Sequence, residues 1–350
     1  MLKPLLDILV DPIQKTPLLL EIEQSGADGR VLQGKLRSLD GTMYAITNGI
    51  PRFVLTQDEK QEQTAGSFGY KWNQRQTYDS PGMRATAREW LVKRYGFESA
   101  QEMERYMRRQ KRILDAGCGS GFSTSLWMSS SWTGTNWIGV DLSTAIDVAQ
   151  DRLGARPGTH FVQADILQLP FPNDTFDIIF SEGVLHHTPS TESALKSLAQ
   201  LLVPGGEIMF YVYRTKGPIR EFSDDYLRTV FSSLPPDKAW EMLRPLTMLS
   251  QALAELNAEI QVPEDIPCLG IKAGRCDVQR LVYWHFAKLY WNKQFSFEEN
   301  NHVNFDWYHP KYAHRQNEDQ VRLWCAQAGL EIIHMDTEEL SGWTVRAIRT

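Results

Sequence analysis

Between residues 111 and 214 short apolar runs alternate with helix-length amphipathic segments, and no other feature of the chain restricts its fold so strongly. The runs are RILDA, WIGVD, HFVQA, FDIIF and EIMFYVY. Runs that are apolar at nearly every position read as strands buried on both faces. Separated by amphipathic helices, they require βαβ units and a parallel sheet covered on both sides. A chain of 350 residues is long enough to bury such a sheet without covalent staples. Its four cysteines, at 118, 268, 276 and 325, form no CxxC pair. A disulfide ladder and a zinc ribbon are therefore not expected, and a reducing compartment is. The net charge of −6 argues against a nucleic-acid-binding face. No apolar run approaches the ~20 residues that span a bilayer. The opening MLKPLLDILVDPIQK reaches Asp7 without a small-residue cleavage site, so it does not read as a signal peptide. The expectation is a cytoplasmic α/β protein, with its oligomeric state open.

The flanking regions have their own patterns. Residues 1–56 form a small β-rich unit with a GADG turn, ending at Asn48-Gly49-Ile50-Pro51. Residues 57–110 read as a helical cover holding an aromatic island, Phe68-Gly69-Tyr70-Lys71-Trp72. Residues 215–316 look helical, with proline breakers at 235–236, 245, 263 and 267. They are too long for an ordinary connection and read as a cap or lid insertion. At Asn317, paired with Gln320 as a capping box, the α/β pattern resumes, and Gly329 stops that helix. The runs EIIHM and WTVRAI then supply the last strands, so the α/β domain comprises 111–214 and 317–350.

The chemistry concentrates where the first run ends. Strand 112–116 enters Gly117-Cys118-Gly119-Ser120-Gly121, and a helix follows. Residues without side chains let a ligand lie against the backbone at a helix N-terminus. Phe122 stands where a dinucleotide fingerprint needs its third glycine, which argues against a nicotinamide cofactor. Asp141, followed by Leu142, ends the second strand about 20 residues later, where a carboxylate can accept both hydroxyls of a ribose. Asp165 ends the third strand, placed to receive an adenine amino group while Ile166 packs on the ring. Residues Phe176 to His187 give a fourth strand and its exit loop.

The motifs LDAGCGSG, GVDLS, ADILQLPFPNDTFDIIFSEGVLHH and LLVPGGEIMF, in this order, resemble those of class I S-adenosylmethionine-dependent methyltransferases. The resemblance implies a Rossmann-like seven-stranded sheet with an antiparallel final hairpin, and S-adenosyl-L-methionine as cofactor. It implies that Gly117, Gly119 and Gly121 border the methionine part, and that Asp115 orients its amino group. Asp141 would hold the ribose and Asp165 the adenine amine. Ser181 would lie where the strand backbone passes near the sulfonium. Helices before the first strand commonly cover the cofactor in this family, which places Tyr70 of the aromatic island among its contacts. Residues 3–54 resemble a second family, the Trm112-type zinc ribbon, through Leu5–Val10 and Asn48–Phe53. All four ligand positions depart from it: Asp11, Gln14, Arg37 and Asp40. Arginine cannot ligate zinc, so a metal-free unit held by its own small core is expected.

In methyl transfer the protein aligns the acceptor and excludes water, and a base is required only for a protonated nucleophile. The candidate bases at the strand exit are Glu182, His186 and His187. Tyr211 and Tyr213 are read as facing alternately, so that only one enters the crevice, with Tyr211 as the candidate. The cap is rich in aromatics, from Tyr283 and Trp284 to Tyr312. Most are expected to bind it to the sheet, with residues 304–312 as the lid. Arg84, Arg220 and Arg280 are each read as solvated rather than substrate-binding. The expected function is a methyltransferase acting on a small molecule of specialised metabolism. Its rivals are use of the aminocarboxypropyl arm of the same cofactor, a non-catalytic cofactor-sensing module, and a macromolecular methyltransferase.

Overall fold

The computed structural model describes residues 1, 3–54, 58–129 and 132–350. Four short strands come first: β1 (Leu19–Ser25), β2 (Val31–Arg37), β3 (Met43–Thr47) and β4 (Ile50–Phe53). The five apolar runs become β5 (Arg112–Ala116), β6 (Asn136–Asp141), β7 (Thr159–Ala164), β8 (Phe176–Glu182) and β9 (Leu202–Tyr213). A two-stranded hairpin, β10 (Glu259–Val262) with β11 (Gly274–Asp277), interrupts the cap and was not foreseen from sequence. The chain closes with β12 (Leu330–Asp336) and β13 (Gly342–Arg349).

Seven of these strands lie in the order β7-β6-β5-β8-β9-β13-β12. The first five are parallel, whereas β13 runs antiparallel to β9 and to β12. This is the class I methyltransferase sheet. Strand order reverses between β5 and β8, so their exit loops diverge and leave a crevice at the strand ends. Side chains alternate across the sheet. Ile113, Ile178, Phe180 and Met209 meet Leu91, Met103 and Met107 of the helices Pro81–Arg94 and Ala100–Arg108. Leu114, Ile138, Ile179 and Phe210 face the other way, toward Leu198 and Val321 of the helices Thr191–Leu201 and Glu318–Gln327. The Asn317–Gln320 capping box is present, and Gly329 takes φ +69° just beyond that helix.

The N-terminal unit differs from the expectation. Strands β1 to β4 form an antiparallel meander, and β4 pairs in parallel with β7, so the sheet continues to eleven strands. The Arg52 guanidinium fastens the join, reaching Asp147 at 2.6 Å and Gln163 at 2.7 Å. Leu5, Leu36, Tyr44 and Phe53 belong to the same apolar cluster as Leu114 and Ile138. The unit is therefore not held by a core of its own. Three of the four residues expected to stand in for zinc ligands are hydrogen-bonded instead: Tyr44 Oη donates to Asp11 at 2.8 Å, and Gln14 Nε2 to Asp40 at 2.6 Å. Among the described residues no group of three or more His, Cys, Asp or Glu is placed to hold a metal ion, and no helix is long and apolar enough to cross a membrane.

Residues 215–316 contain four helices, Pro218–Phe231, Pro236–Glu255, Val278–His285 and Phe297–Tyr308. Their core of Phe231, Trp240, Leu243, Phe305, Trp307 and Tyr308 packs onto Tyr211 and Tyr213 at the end of β9. The cap is thus anchored directly above the crevice.

Candidate functional site

The glycine turn after β5 is locked to its neighbour. The N–H groups of Gly117 and Cys118 both donate to the Val140 carbonyl, at 2.7 and 2.9 Å. Gly117 takes φ +83°, and a Cβ there would fall inside the Val184 side chain, so only glycine fits. Gly119 donates its N–H to Asp141 Oδ2 at 2.8 Å, while Ser143 donates N–H (2.8 Å) and Oγ–H (2.6 Å) to Oδ1. The Asp141 carboxylate is thus pinned between two turns at the strand end. Burial raises its pKa, and these hydrogen bonds oppose the rise. Asp165 accepts Leu167 N–H at 2.9 Å and Gln61 Nε2–H at 2.8 Å. Gln61 lies on the cover helix Glu59–Asn73, so that helix closes directly on the third strand end.

A cavity of about 790 Å³ extends from these groups, within the ~300–1,000 Å³ range of small-molecule sites. One end is lined by Gly117, Asp141, Leu142, Asp165 and Ile166, with Gln61 and Trp72 from the cover helix. These residues fit an adenosyl ligand: two anchored carboxylates at successive strand ends, an apolar side chain beside the second, and a glycine turn no side chain can enter. Asp115 sits behind them, buried and accepting Thr124 Oγ1–H at 2.7 Å. Burial, reinforced by the nearby Asp141, pushes its pKa up to about 6. Gly119 and Gly121 do not line the cavity: a Cβ at Gly119 would lie 2.7 Å from Trp72 Nε1, and one at Gly121 would meet Leu153. Ser181 is fully buried and donates its hydroxyl to the Ala116 carbonyl at 2.9 Å, tying β8 to β5.

The other end is built from distant segments. Lys71 of the cover helix pairs with Asp306 of the cap, and its ammonium lies 4.2 Å from the Trp72 ring centre. Tyr213 Oη donates to Asp306 at 3.2 Å. Burial works to raise the Asp306 pKa, but Lys71, His187 and Lys288 together hold it far below the usual carboxylate range. His187 lines the cavity, with Nδ1 2.5 Å from the Tyr312 carbonyl. That contact requires the proton on Nδ1 and leaves the buried Nε2 as an acceptor with no partner among the described residues. Burial lowers the His187 pKa to about 4, so the ring is neutral at physiological pH.

Three of the sequence expectations need correction here. His186 does not reach the cavity: it is fully buried, stacked on Tyr213 at 3.6 Å, and among the described residues neither ring nitrogen has a hydrogen-bond partner. Tyr70 does not reach it either. It packs on Trp240 and Phe305 of the cap, and its neighbours Lys71 and Trp72 line the cavity instead, because consecutive helical residues point about 100° apart. Tyr211 and Tyr213 both line the cavity, since residues two apart on a strand share a face.

Glu182 also lines it, but its carboxylate is held by Arg94 and by Tyr95 Oη at 2.5 Å. Arg94 in turn pairs with Glu339 at 2.8 Å and lies over the Tyr211 ring. Tyr211 Oη donates to Ser341 at 3.0 Å. This network braces the helix Pro81–Arg94 against β8 and the loop before β13, and Glu182 is engaged in it rather than free to take a proton. Sequence reading missed Gln61, Lys71 as a cavity residue, Arg94, Lys288 and Asp306 as an ion-pair partner. The aromatic island pointed to the Lys71 neighbourhood, whereas Lys288 carries no local signal.

Residues 114–210 match the methyltransferase domain family. The chain is 29% identical over 151 residues to a malonyl-[acyl-carrier protein] O-methyltransferase of Serratia marcescens, covering 43% of this chain and 54% of that protein. It is 33% identical over 113 residues to a probable tRNA methyltransferase 9B of Homo sapiens, covering 31% and 23%. The chain thus spans about half, or less, of these relatives' lengths. The solved structure of trans-methyltransferase CalH with SAH aligns over 72% of this chain and 55% of its own, at 15% identity and a TM-score of 0.40. The matched region is an S-adenosylmethionine-dependent methyltransferase domain, and S-adenosylmethionine is its cofactor.

Proposed function

We propose that this chain transfers a methyl group from S-adenosylmethionine to a small molecule enclosed in the cavity, in specialised metabolism. The observation that carries the reading is the cavity itself: one continuous space joins the Gly117–Asp141–Asp165 end to a chamber walled by the cover helix and the cap. A chamber built from side chains of one's own chain suits an acceptor small enough to enter whole. When bound, the cofactor supplies a methyl group on a positively charged sulfur. Asp141 and Asp165 hold its ribose and adenine, and Gly117 gives the backbone surface against which its methionine part lies. The aromatic faces of Tyr213 and Trp72 keep water from the acceptor chamber. His187 Nε2 is the atom able to accept a proton from an acceptor that arrives protonated. The N-terminal meander is, in this reading, a metal-free extension of the sheet.

The relatives support more than one acceptor class, since one is a malonyl-[acyl-carrier protein] O-methyltransferase and another a probable tRNA methyltransferase. The size of the cavity and the acidic net charge favour the small molecule. The test is to incubate the chain with S-adenosylmethionine and a panel of small acids, alcohols and amines, and to identify the adenosyl product by mass. S-adenosylhomocysteine formed only with one class of acceptor supports the reading. Methylthioadenosine above a protein-free control would overturn it in favour of chemistry on the aminocarboxypropyl arm.

A further inference from the structure

The cavity is also lined by a lysine whose ammonium makes no hydrogen bond among the described residues. Lys288 lies between the cap helices Val278–His285 and Phe297–Tyr308, is only 7% exposed, and lines the cavity. Its ammonium sits 4.3 Å from the centre of the Trp307 ring and, among the described residues, makes no hydrogen bond. An ammonium on a largely buried stem at a cavity wall favours an anionic acceptor within its reach. The carboxylates nearby are already engaged. Asp224 accepts Arg220 at 2.6 Å, Tyr308 Oη at 2.9 Å and the Lys288 backbone N–H at 3.2 Å. Asp306 is taken by Lys71 and Tyr213. Arg280, exposed where it lines the same end, has no carboxylate partner among the described residues and lies 5.4 Å from the Tyr283 ring centre. The same cavity is lined by four further aromatic side chains, Tyr283, Trp284, Tyr290 and Phe295.

We propose that this end of the cavity is an anion subsite, in which Lys288 and Arg280 hold the carboxylate of an acceptor whose apolar or aromatic body lies between Tyr283, Trp284, Tyr290 and Phe295. The inference rests on the cavity being the acceptor chamber and names the class of acceptor it takes. An incoming carboxylate supplies the hydrogen bonds that Lys288 lacks, and the aromatic walls exclude the water that would weaken them. A neutral amide of the same shape offers an acceptor without charge and leaves the ammonium uncompensated. Burial lowers the Lys288 pKa to about 7, with Asp306 and Asp224 opposing and Arg220 and Arg228 reinforcing the fall. A bound carboxylate favours the charged form, so binding at pH 8 draws a proton onto Lys288.

The full chain is titrated by calorimetry with 3-phenylpropionate and with 3-phenylpropionamide, each with and without saturating S-adenosylhomocysteine. The expected result is a carboxylate affinity at least about tenfold above that of the amide at pH 7, with net proton uptake at pH 8 read from buffers of different ionisation heat. Lys288→Met removes both the preference and the proton uptake, Lys288→Arg keeps the preference, and Arg280→Ala, at an exposed position, weakens the carboxylate roughly threefold. Equal affinities, no carboxylate binding, or a preference that survives Lys288→Met would overturn the subsite. Failure of S-adenosylhomocysteine to bind would count against the cofactor assignment alone, because the probe titration without it still decides the anion subsite.

Discussion

The two ends of the cavity are made in different ways. The end proposed for the cofactor is assembled from Gly117, Asp141, Leu142, Asp165 and Ile166, at the C-terminal ends of successive parallel strands, and its carboxylates are pinned by backbone N–H groups two residues on or in the neighbouring turn. The end proposed for the acceptor is assembled from Lys71, His187, Tyr213, Lys288 and Asp306, brought together only by packing the cover helix and the cap onto the sheet. Chemistry carried by a strand–turn–helix unit is local and keeps its spacing. Chemistry carried by tertiary packing has no spacing to read.

The contrast accounts for what was legible in the sequence. The parallel strands, the final antiparallel hairpin, the Asn317 capping box and the Gly117–Asp141–Asp165 end all follow from periodicity, turn chemistry and motif order. The orientation of His186 against His187 did not, because a 3₁₀ turn over Leu185–His187 decides it. Nor did the joining of β4 to β7, since edge pairing leaves no signature in either strand alone. Tyr70 was placed in the site by the aromatic island it belongs to, and the helix phase turned it toward Trp240 instead.

Substitutions can break this comparison at either end. The largest effect is expected at the cofactor end. Gly117→Ala forces a Cβ into Val184 at φ +83°, and should weaken S-adenosylhomocysteine binding by more than about 100-fold. Gly134→Ala, at φ +88° in open space, carries the same backbone strain without the clash. It should lower stability by about 1 kcal/mol and leave affinity unchanged. Comparable losses of affinity for both would mean that backbone strain, rather than the cradle, governs the site.

At the acceptor end the expected cost is in stability. Asp306→Asn leaves the buried Lys71 without its counter-charge and should cost roughly 3 kcal/mol in urea denaturation, most of it recovered by Lys71→Met in the same chain. A single variant as stable as the parent would show that the pair does not hold cover to cap.

Cofactor binding should also depend on pH. Asp115 has its folded pKa raised from 3.8 to about 6, so the fold prefers its protonated form. Its contribution to the stability of the cofactor-free chain is greatest below about pH 4 and is lost as pH rises through about 6. With the ligand amino group oriented by Asp115, as the family resemblance implies, its ammonium favours the charged form, so affinity should fall by up to about tenfold per unit as pH drops below 6, with proton release on binding near pH 6. A flat profile between pH 5 and 7 would remove Asp115 from the amino-group contact.

The smallest effects are expected away from both ends. His186→Phe exchanges a buried ring with two unpartnered nitrogens for an apolar one stacked on Tyr213, and should change stability by less than roughly 1 kcal/mol. Metal analysis of the purified chain should find less than ~0.1 equivalent of zinc, because Asp11, Gln14, Arg37 and Asp40 stand where the proposed ribbon resemblance would need ligands. One full equivalent would restore a metal role to the N-terminal unit.

The most direct measurement is a calorimetric titration of the full chain and of Asp141→Ala with S-adenosylhomocysteine. The strand-end geometry predicts one site per chain, weakened at least tenfold, about 1.4 kcal/mol, when the pinned carboxylate is removed. Equal affinity in the two proteins would contradict the assignment of Asp141 to the ribose and, with it, the placement of the cofactor across the ends of β5, β6 and β7.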